Sequence, residues 1–307
     1  MNVIWVAEDI KKDQSFKQTK AEVLCTLSCL LFIKQYYPDF KTIFFVDDYT
    51  KKYYEQFGFM ELFDEINDTL LNEPIQGIDR NVFWAAGKIL AQRNTPGPTL
   101  TIDLDFRIFN DISKLGVFDS DICCLWLEAI NRQFYFNPTE ALEYPGLDWK
   151  YDWSDLALNV SFLYLKNEDF KNSYCDLALE YMKSCFGKLP ELNDKVERNK
   201  FILFAEQYML HQLAKEQGQQ IKLLIDNFYP IPKSVDYIKS SGIDMANCGF
   251  HFYHYGDHKT KMINKEPHFY NEISKCYFAV NSKIKDEGCV NIFNKIYNIS
   301  EYEGCFC

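Results

Sequence analysis

The residues with the clearest capacity for chemistry are Asp103 and Asp105, in the run Thr99-Leu100-Thr101-Ile102-Asp103-Leu104-Asp105-Phe106-Arg107-Ile108-Phe109. A bare Asp-x-Asp means little: 24 aspartates in 307 residues give about two such triplets by chance, and Asp119-Ser120-Asp121 is a second. Context separates them. Asp103 and Asp105 follow an apolar run that reads as a buried strand, and they precede another apolar run. Carboxylates in that setting are costly unless a cation or hydrogen bonds compensate them. Two carboxylates two residues apart at a strand end point the same way, which suits a hard divalent cation with oxygen ligands. The other reading is a capped or solvated loop. Asp119 and Asp121 follow Gly116 in a turn-like stretch, where solvation is the default.

Further candidates lie elsewhere. In His251-Phe252-Tyr253-His254-Tyr255-Gly256-Asp257-His258-Lys259, three of the five histidines fall within eight residues, interleaved with aromatics. In an extended run, His254 and Phe252 share one face, while His251, Tyr253 and Tyr255 share the other. Neutral imidazole is a common borderline ligand that can join two carboxylates around manganese. Beside the aspartate pair, His254 is the preferred third ligand and His251 the reserve. A surface loop with aromatic packing is the alternative. Glu206 sits in an otherwise apolar helix beginning Phe201-Ile202-Leu203-Phe204-Ala205. It is either a base or orienting group for an acceptor hydroxyl, or a helix-surface glutamate. Trp84 and Lys88 are four apart and read as one helical face, with Trp84 in the core.

The elements that must position these residues alternate. Val3–Ala7 and Thr42–Val46 read as buried strands ended by Glu8-Asp9 and Asp47-Asp48. Helices are expected at Thr19–Tyr37, closed by Pro38, at Thr50–Phe57 and at Asn81–Gln92. Phe63–Ile66 and Thr99–Ile102 read as further strands. Strand-helix alternation with carboxylates at strand ends is the pattern of a parallel α/β sheet, whose ligand sites collect at those ends. Downstream, strands are expected at Ile122–Leu127, Leu158–Leu165 and Ile221–Ile225, and helices at Asp169–Phe186, Asn199–Lys215, 270–282 and 289–297. Neither GxGxxG nor GxxxxGK[ST] occurs.

Composition sets the outer bounds. A hydrophobic share of 47% and a charged share of 25% describe a globular chain. A net charge of −11 argues against a nucleic-acid binder and weakly against electrostatic docking on an anionic membrane. An anionic substrate would need a bound cation or a local basic cluster. The eleven cysteines form no CxxC and read as small buried apolar residues in a reducing compartment. No signal peptide is visible, and the longest apolar stretch, Val23–Ile33, is too short to span a bilayer. A cytoplasmic protein is expected. The 17% aromatic content reads mostly as core.

The ordered motifs resemble the GT-A-fold nucleotide-sugar-dependent glycosyltransferases of DxD type, and the chain looks like an outlying bacterial family similar to the glycogenin and lipopolysaccharide glycosyltransferase group. In that family the DxD comes around residue 100, after a nucleotide-binding half-sheet, and the placement of Asp103-Leu104-Asp105 is similar. Leu158-Asn159-Val160-Ser161-Phe162-Leu163-Tyr164-Leu165 is similar to that family's "FNAGVLL" strand, with Val160-Ser161 in place of Ala-Gly. Ala205-Glu206-Gln207-Tyr208-Met209-Leu210-His211 resembles its "DQDxLN" helix, with Glu206 in place of Asp. His251–Lys259 resembles its "HYxGxxKPW" motif, a residue shorter and without Pro-Trp.

The resemblance implies an α/β, GT-A-like fold: a Rossmann-like, mixed but mainly parallel sheet flanked by helices, with C-terminal helical additions. It implies one catalytic domain over 1–307, with a nucleotide-binding half (1–110), an acceptor and metal-completing half (111–265) and C-terminal helices (266–307). The implied donor is a nucleotide diphospho-sugar held by Mn2+ or Mg2+ on Asp103, Asp105 and His254. Lys88 and Lys259 would contact the donor phosphates, and Trp5, Ala7, Glu8 and Asp103 would lie at the nucleotide. Asp47 and Asp48 would bind a ribose hydroxyl or cap a turn. Asn159, Glu206 and Gln207 would face the sugar or a saccharide or glycoconjugate acceptor. No transmembrane segment is implied; peripheral membrane contact is left open. Two rival expectations stand: a metal-dependent phosphohydrolase or nucleotidyltransferase, and a non-catalytic sugar-nucleotide-binding domain.

Overall fold

A computed structural model describes residues 1–225, apart from 11–15, 19, 59, 74, 109–110, 131–134, 154–155 and 190–194, together with Phe252–His254. Its elements are β1 (Asn2–Ala7), α1 (Lys20–Tyr36), β2 (Lys41–Val46), α2 (Asp48–Glu55), β3 (Glu65–Asn67), α3 (Ala86–Asn94), β4 (Thr99–Ile102) and β5 (Phe106–Ile108). There follow β6 (Ile122–Cys124), β7 (Leu127–Ala129), α4 (Pro138–Glu143), β8 (Leu156–Leu158), β9 (Phe162–Leu165) and α5 (Glu168–Ser184). The described chain closes with α6 (Lys195–Leu203), a π-helical turn (Phe204–Tyr208), α7 (Met209–Glu216), β10 (Ile221–Leu223) and β11 (Phe252–His254).

The apolar runs become strands covered on both faces. In β2, Thr42 to Val46 are all buried, and side chains alternate between two layers. Phe44 and Val46 pack with Leu27 and Leu30 of α1, whereas Ile43 and Phe45 pack with Ile4, Leu71 and Ala91. Each such aliphatic or Phe side chain contributes about 1.5–3 kcal/mol by leaving water. The strands form one seven-stranded sheet in the order β10-β6-β9-β4-β1-β2-β3. Only β9 runs antiparallel to its neighbours, β4 and β6; the other pairings are parallel. This is the mixed, mainly parallel α/β sheet that the resemblance implied; the strand-helix alternation pointed only to its parallel part. It joins strands from both halves of the sequence. Asp47 explains why α2 starts where it does: its carboxylate accepts from the Thr50 N–H, and the Thr50 hydroxyl accepts from the Asp47 N–H.

Three expectations need correction. Ile122–Leu127 and Leu158–Leu165 are not continuous strands. Each breaks in the middle, and the breaks face each other: the Asn159 N–H donates to Trp126 O (2.9 Å) and the Leu125 N–H donates to Asn159 O (3.2 Å). Both chains leave the main sheet together and pair again as the β7–β8 ribbon. Helix α3 starts at Ala86, not Asn81, because residues 79–85 form turns anchored by the Asp79 carbonyl, which accepts from the Val82 and Phe83 N–H groups. Trp84 is therefore outside the helix and is not a core residue: it is 44% exposed. The neighbouring Phe83 fills the core instead, edge-on to Tyr181 and Phe201.

Cys29, Cys123, Cys124, Cys175 and Cys185 are free and buried, as small apolar residues would be. No helix among the described residues is long and apolar enough to cross a membrane. The helices expected at 270–282 and 289–297 lie outside the described residues.

Candidate functional site

The parallel strands β1, β2 and β4 end at the same edge of the sheet, so the residues just beyond them collect there. After β4 the chain turns through Asp103-Leu104-Asp105, closed by the Phe106 N–H donating to Asp103 O (3.0 Å). The Asp103 N–H donates to Ser161 O (2.9 Å), which ties this turn to the corner between β8 and β9. Both aspartates are partly exposed.

Lys88, near the start of α3, reaches this turn from below. Its Nζ donates to Asp103 Oδ1 (2.8 Å) and pairs with Glu206 Oε1 (2.6 Å). Its side chain is 11% exposed, that of Asp103 30% and that of Glu206 3%. Burial lowers the basicity of Lys88, but the charges of Asp103 and Glu206 outweigh it and hold the ammonium well above the ordinary lysine range. Burial pushes the Glu206 carboxyl up; Lys88 opposes that shift and Asp103 adds to it. Glu206 belongs to the π-helical turn, a feature often found at functional sites. That turn disturbs the regular carbonyl ladder, and the Tyr174 hydroxyl donates to the Glu206 carbonyl (2.8 Å).

A second network lies at the β8–β9 corner. Glu128 Oε1 accepts from Asn159 Nδ2 (2.8 Å) and Trp126 Nε1 (3.0 Å), and Glu128 Oε2 accepts from the Tyr135 hydroxyl (2.6 Å). The same hydroxyl lies 2.6 Å from Gln207 Oε1. Asn159 Oδ1 accepts from the Ser161 N–H (3.2 Å). Asn159 and Gln207, far apart in sequence, are thus joined through Glu128 and Tyr135. All four are buried.

At the end of β1, Glu8 pairs with Arg80. Gly87 of α3 makes room for that pair: a Cβ there would lie 2.6 Å from Glu8 Oε2 and 3.0 Å from Arg80 Nη2. Trp5 is wholly buried, edge-on to Phe63 (5.6 Å between ring centroids). Ala7 is buried too, and its carbonyl accepts from the Thr50 hydroxyl (3.0 Å). Asp47 is occupied as the α2 cap and also accepts from the Asp9 N–H (2.8 Å). Asp48 pairs with the Asn72 amide.

The His segment is described over Phe252–His254, which pairs antiparallel with β5 and sets the His254 backbone opposite Phe106, one residue from Asp105. His251 and Lys259 lie outside the described residues. Among the described residues, no group of three His, Cys, Asp or Glu side chains is arranged to hold a metal ion. Of the residues expected to hold a cation, the carboxylates of Asp103 and Asp105 are described. Their hard oxygens suit magnesium or manganese, with one Asp103 oxygen engaged by Lys88.

Sequence reasoning missed Glu128, Tyr135 and Trp126, and did not pair Arg80 with Glu8. Glu128 carried a usable signal, because it closes an apolar strand-like run as Asp103 does. Tyr135 carried none.

No family model and no curated protein sequence matches the chain. Among solved structures it is similar to mouse xyloside xylosyltransferase 1 in its apo form, at 14% identity and a TM-score of 0.40, covering 73% of this chain and 85% of that one. It is similar to the galactosyltransferase LgtC, in complex with donor and acceptor sugar analogues, at 12% identity and a TM-score of 0.33, covering 67% and 70%. It is also similar to a nucleoside-diphosphate-sugar pyrophosphorylase from Vibrio cholerae, at 13% identity and a TM-score of 0.38, covering 75% and 93%.

Proposed function

We propose that this chain is a glycosyltransferase of GT-A type. It would move a sugar from a nucleotide diphospho-sugar to a saccharide or glycoconjugate acceptor, with a divalent cation on Asp103, Asp105 and His254. The observation that carries the reading is the convergence of the family-like segments on one sheet edge. Asp103 contacts Ser161 through the backbone and Lys88 through its side chain, and Lys88 contacts Glu206.

In this reading the cation, when bound, screens the diphosphate and stabilises the leaving nucleotide. Glu206 holds Lys88 against Asp103, so that a positive charge stands beside the carboxylates. Asn159 and Gln207 supply uncharged polar groups to the sugar or acceptor. A chain with a net charge of −11 needs cations to admit a diphosphate, and Lys88 and the metal together provide them.

The test is a thermal-shift panel of nucleotide sugars, with and without manganese, on wild type and Asp105→Ala. A ligand at 100 times its Kd stabilises by about 2.7 kcal/mol. The expected result is manganese-dependent stabilisation by one nucleotide sugar, lost in Asp105→Ala. No metal-dependent stabilisation in wild type sinks the reading. A response in Asp105→Ala equal to wild type removes the metal assignment.

A further inference from the structure

Glu128 has no place in the ordered motifs, yet it is 6% exposed and three side-chain donors converge on it: Trp126 two residues before it, Tyr135 seven residues after it and the distant Asn159. Each donor stands on something else. Trp126 marks the break after β6 and gives its carbonyl to the Asn159 N–H. Asn159 marks the break before β9, and its own side-chain oxygen holds the Ser161 N–H. Ser161 O in turn holds the Asp103 N–H. Tyr135 carries its hydroxyl to Gln207, beside Glu206 in the π-helical turn.

We propose that Glu128 is a positioning residue for the candidate site, fixing the amide of Asn159 directly and that of Gln207 through Tyr135. A carboxamide presents a donor on one side and an acceptor on the other, and a half-turn of its terminal torsion exchanges them. Without an anchor, Asn159 and Gln207 would each sample both presentations. With Glu128, one Asn159 N–H is engaged and its oxygen is held by Ser161, so its second N–H is the polar group left over. Tyr135 has one phenolic proton for two acceptors, Glu128 Oε2 and Gln207 Oε1, both at 2.6 Å; given to the carboxylate, it leaves the phenolic oxygen to accept from Gln207 with that amide turned so that its N–H faces Tyr135. Gln207 is therefore positioned only as well as Tyr135 is. Charge-assisted bonds to a buried carboxylate are shorter and stronger than neutral ones, which suits Glu128 to be the fixed end of this chain.

The consequence for chemistry rests on the transferase reading above; the consequence for geometry does not. The experiment reads both. Side-chain amide resonances of Asn159 and Gln207 are followed in wild type, Glu128→Gln, Glu128→Ala and Tyr135→Phe, with thermal melts as the folding control. Tyr135→Phe removes one hydroxyl and leaves the ring in place, so it keeps the test usable if Glu128→Ala fails to fold. Expected are a shifted Gln207 amide with an unmoved Asn159 amide in Tyr135→Phe, and both shifted in the Glu128 variants. Unmoved Gln207 in Tyr135→Phe together with unmoved Asn159 in Glu128→Gln overturns the proposal. Where a donor and acceptor pair turns over, kcat in Glu128→Gln is expected to fall at least tenfold while the donor KM changes less than threefold. Equal falls in kcat for Glu128→Gln and a distant stability-matched variant overturn the positioning role. If no sugar nucleotide is turned over, the transferase reading falls, and the amide resonances still decide this one.

Discussion

Replacing Lys88 with methionine keeps the length of the side chain and deletes the charge that joins Asp103 to Glu206. Asp103 is 30% exposed and rehydrates; Glu206 is 3% exposed and does not. The cost therefore falls on Glu206. Removing one partner of a buried pair typically costs about 3–5 kcal/mol. Glu206 can escape by taking a proton, since burial already raises its carboxyl and losing Lys88 removes the main opposing influence. Protonating at pH 7 a group that ionises near 4.3 when unfolded costs about 1.36 kcal/mol per pH unit, hence roughly 3.7 kcal/mol. The two routes agree on about 3–4 kcal/mol.

The sign with pH follows. In the variant the folded carboxyl stays protonated at pH values where the unfolded one has ionised. The folded state then binds more protons, and stability rises as pH falls. Against wild type at the same pH, the penalty should shrink to about 1 kcal/mol at pH 5. Urea unfolding of wild type, Lys88→Met, Glu206→Gln and the double variant, at pH 5 and 7, measures this. The double variant should recover at least half of the Lys88→Met loss at pH 7, because the stranded charge has gone. A double variant equal to the sum of the singles within about 0.5 kcal/mol, with a Lys88→Met penalty unchanged between the two pH values, would refute the coupling.

Three other outcomes follow from particular contacts. Gly87→Ala should change stability by less than about 1 kcal/mol, because the atoms its methyl group overlaps are the movable ends of Glu8 and Arg80 and alanine is the better helix former; a loss above about 2 kcal/mol in urea melts would show that the pair is fixed in place. Burial lowers the basicity of the His211 imidazole, with the Leu156 carbonyl (2.7 Å) opposing that. Below about pH 6.5 the unfolded chain therefore takes the proton first, and stability falls with falling pH by up to about 1.4 kcal/mol per unit. His211→Gln should flatten the urea midpoint between pH 5.5 and 7.5, and an unchanged slope would contradict it. Trp84→Ala should cost under about 0.5 kcal/mol, as exposed substitutions do, whereas Trp5→Ala should cost about 3–5 kcal/mol; similar melting temperatures for the two would reverse the burial assignments.

The strands were legible because a strand buried on both faces has no polar alternation to misread. β4 coincides with the expected Thr99–Ile102, and β1 and β2 fall within one residue of their expected bounds. The breaks at Leu125-Trp126 and at Asn159–Ser161 were not legible, since the first run stays apolar throughout and Asn159 and Ser161 are isolated polar residues that a continuous strand also tolerates. What ends each run is the other one: the departing backbones bond to each other, a long-range event invisible to local periodicity. Trp84 failed for a related reason. With Phe83 and Trp84 adjacent, only one can face the core once the helix starts at Ala86, and hydrophobicity alone ranks them equally.

The same distinction governs the site. Lys88 was singled out because the resemblance places a basic residue on this helix; its contacts with Asp103 and Glu206 were not legible in the sequence. Glu206 could not be decided from sequence, because an apolar stretch around a glutamate fits a surface stripe or a buried charge equally well. The partner decides: without the Lys88 ammonium at 2.6 Å, a 3% exposed carboxylate has no ion to offset its desolvation. Glu128 itself could be noticed as the close of an apolar run, but its bonding lay furthest out of reach, since Tyr135 and Asn159 reach it only in the folded chain, after both runs have broken. Polar residues whose function depends on such meetings fall outside short motifs, and they are found by asking which buried carboxylate gathers donors from several elements at once.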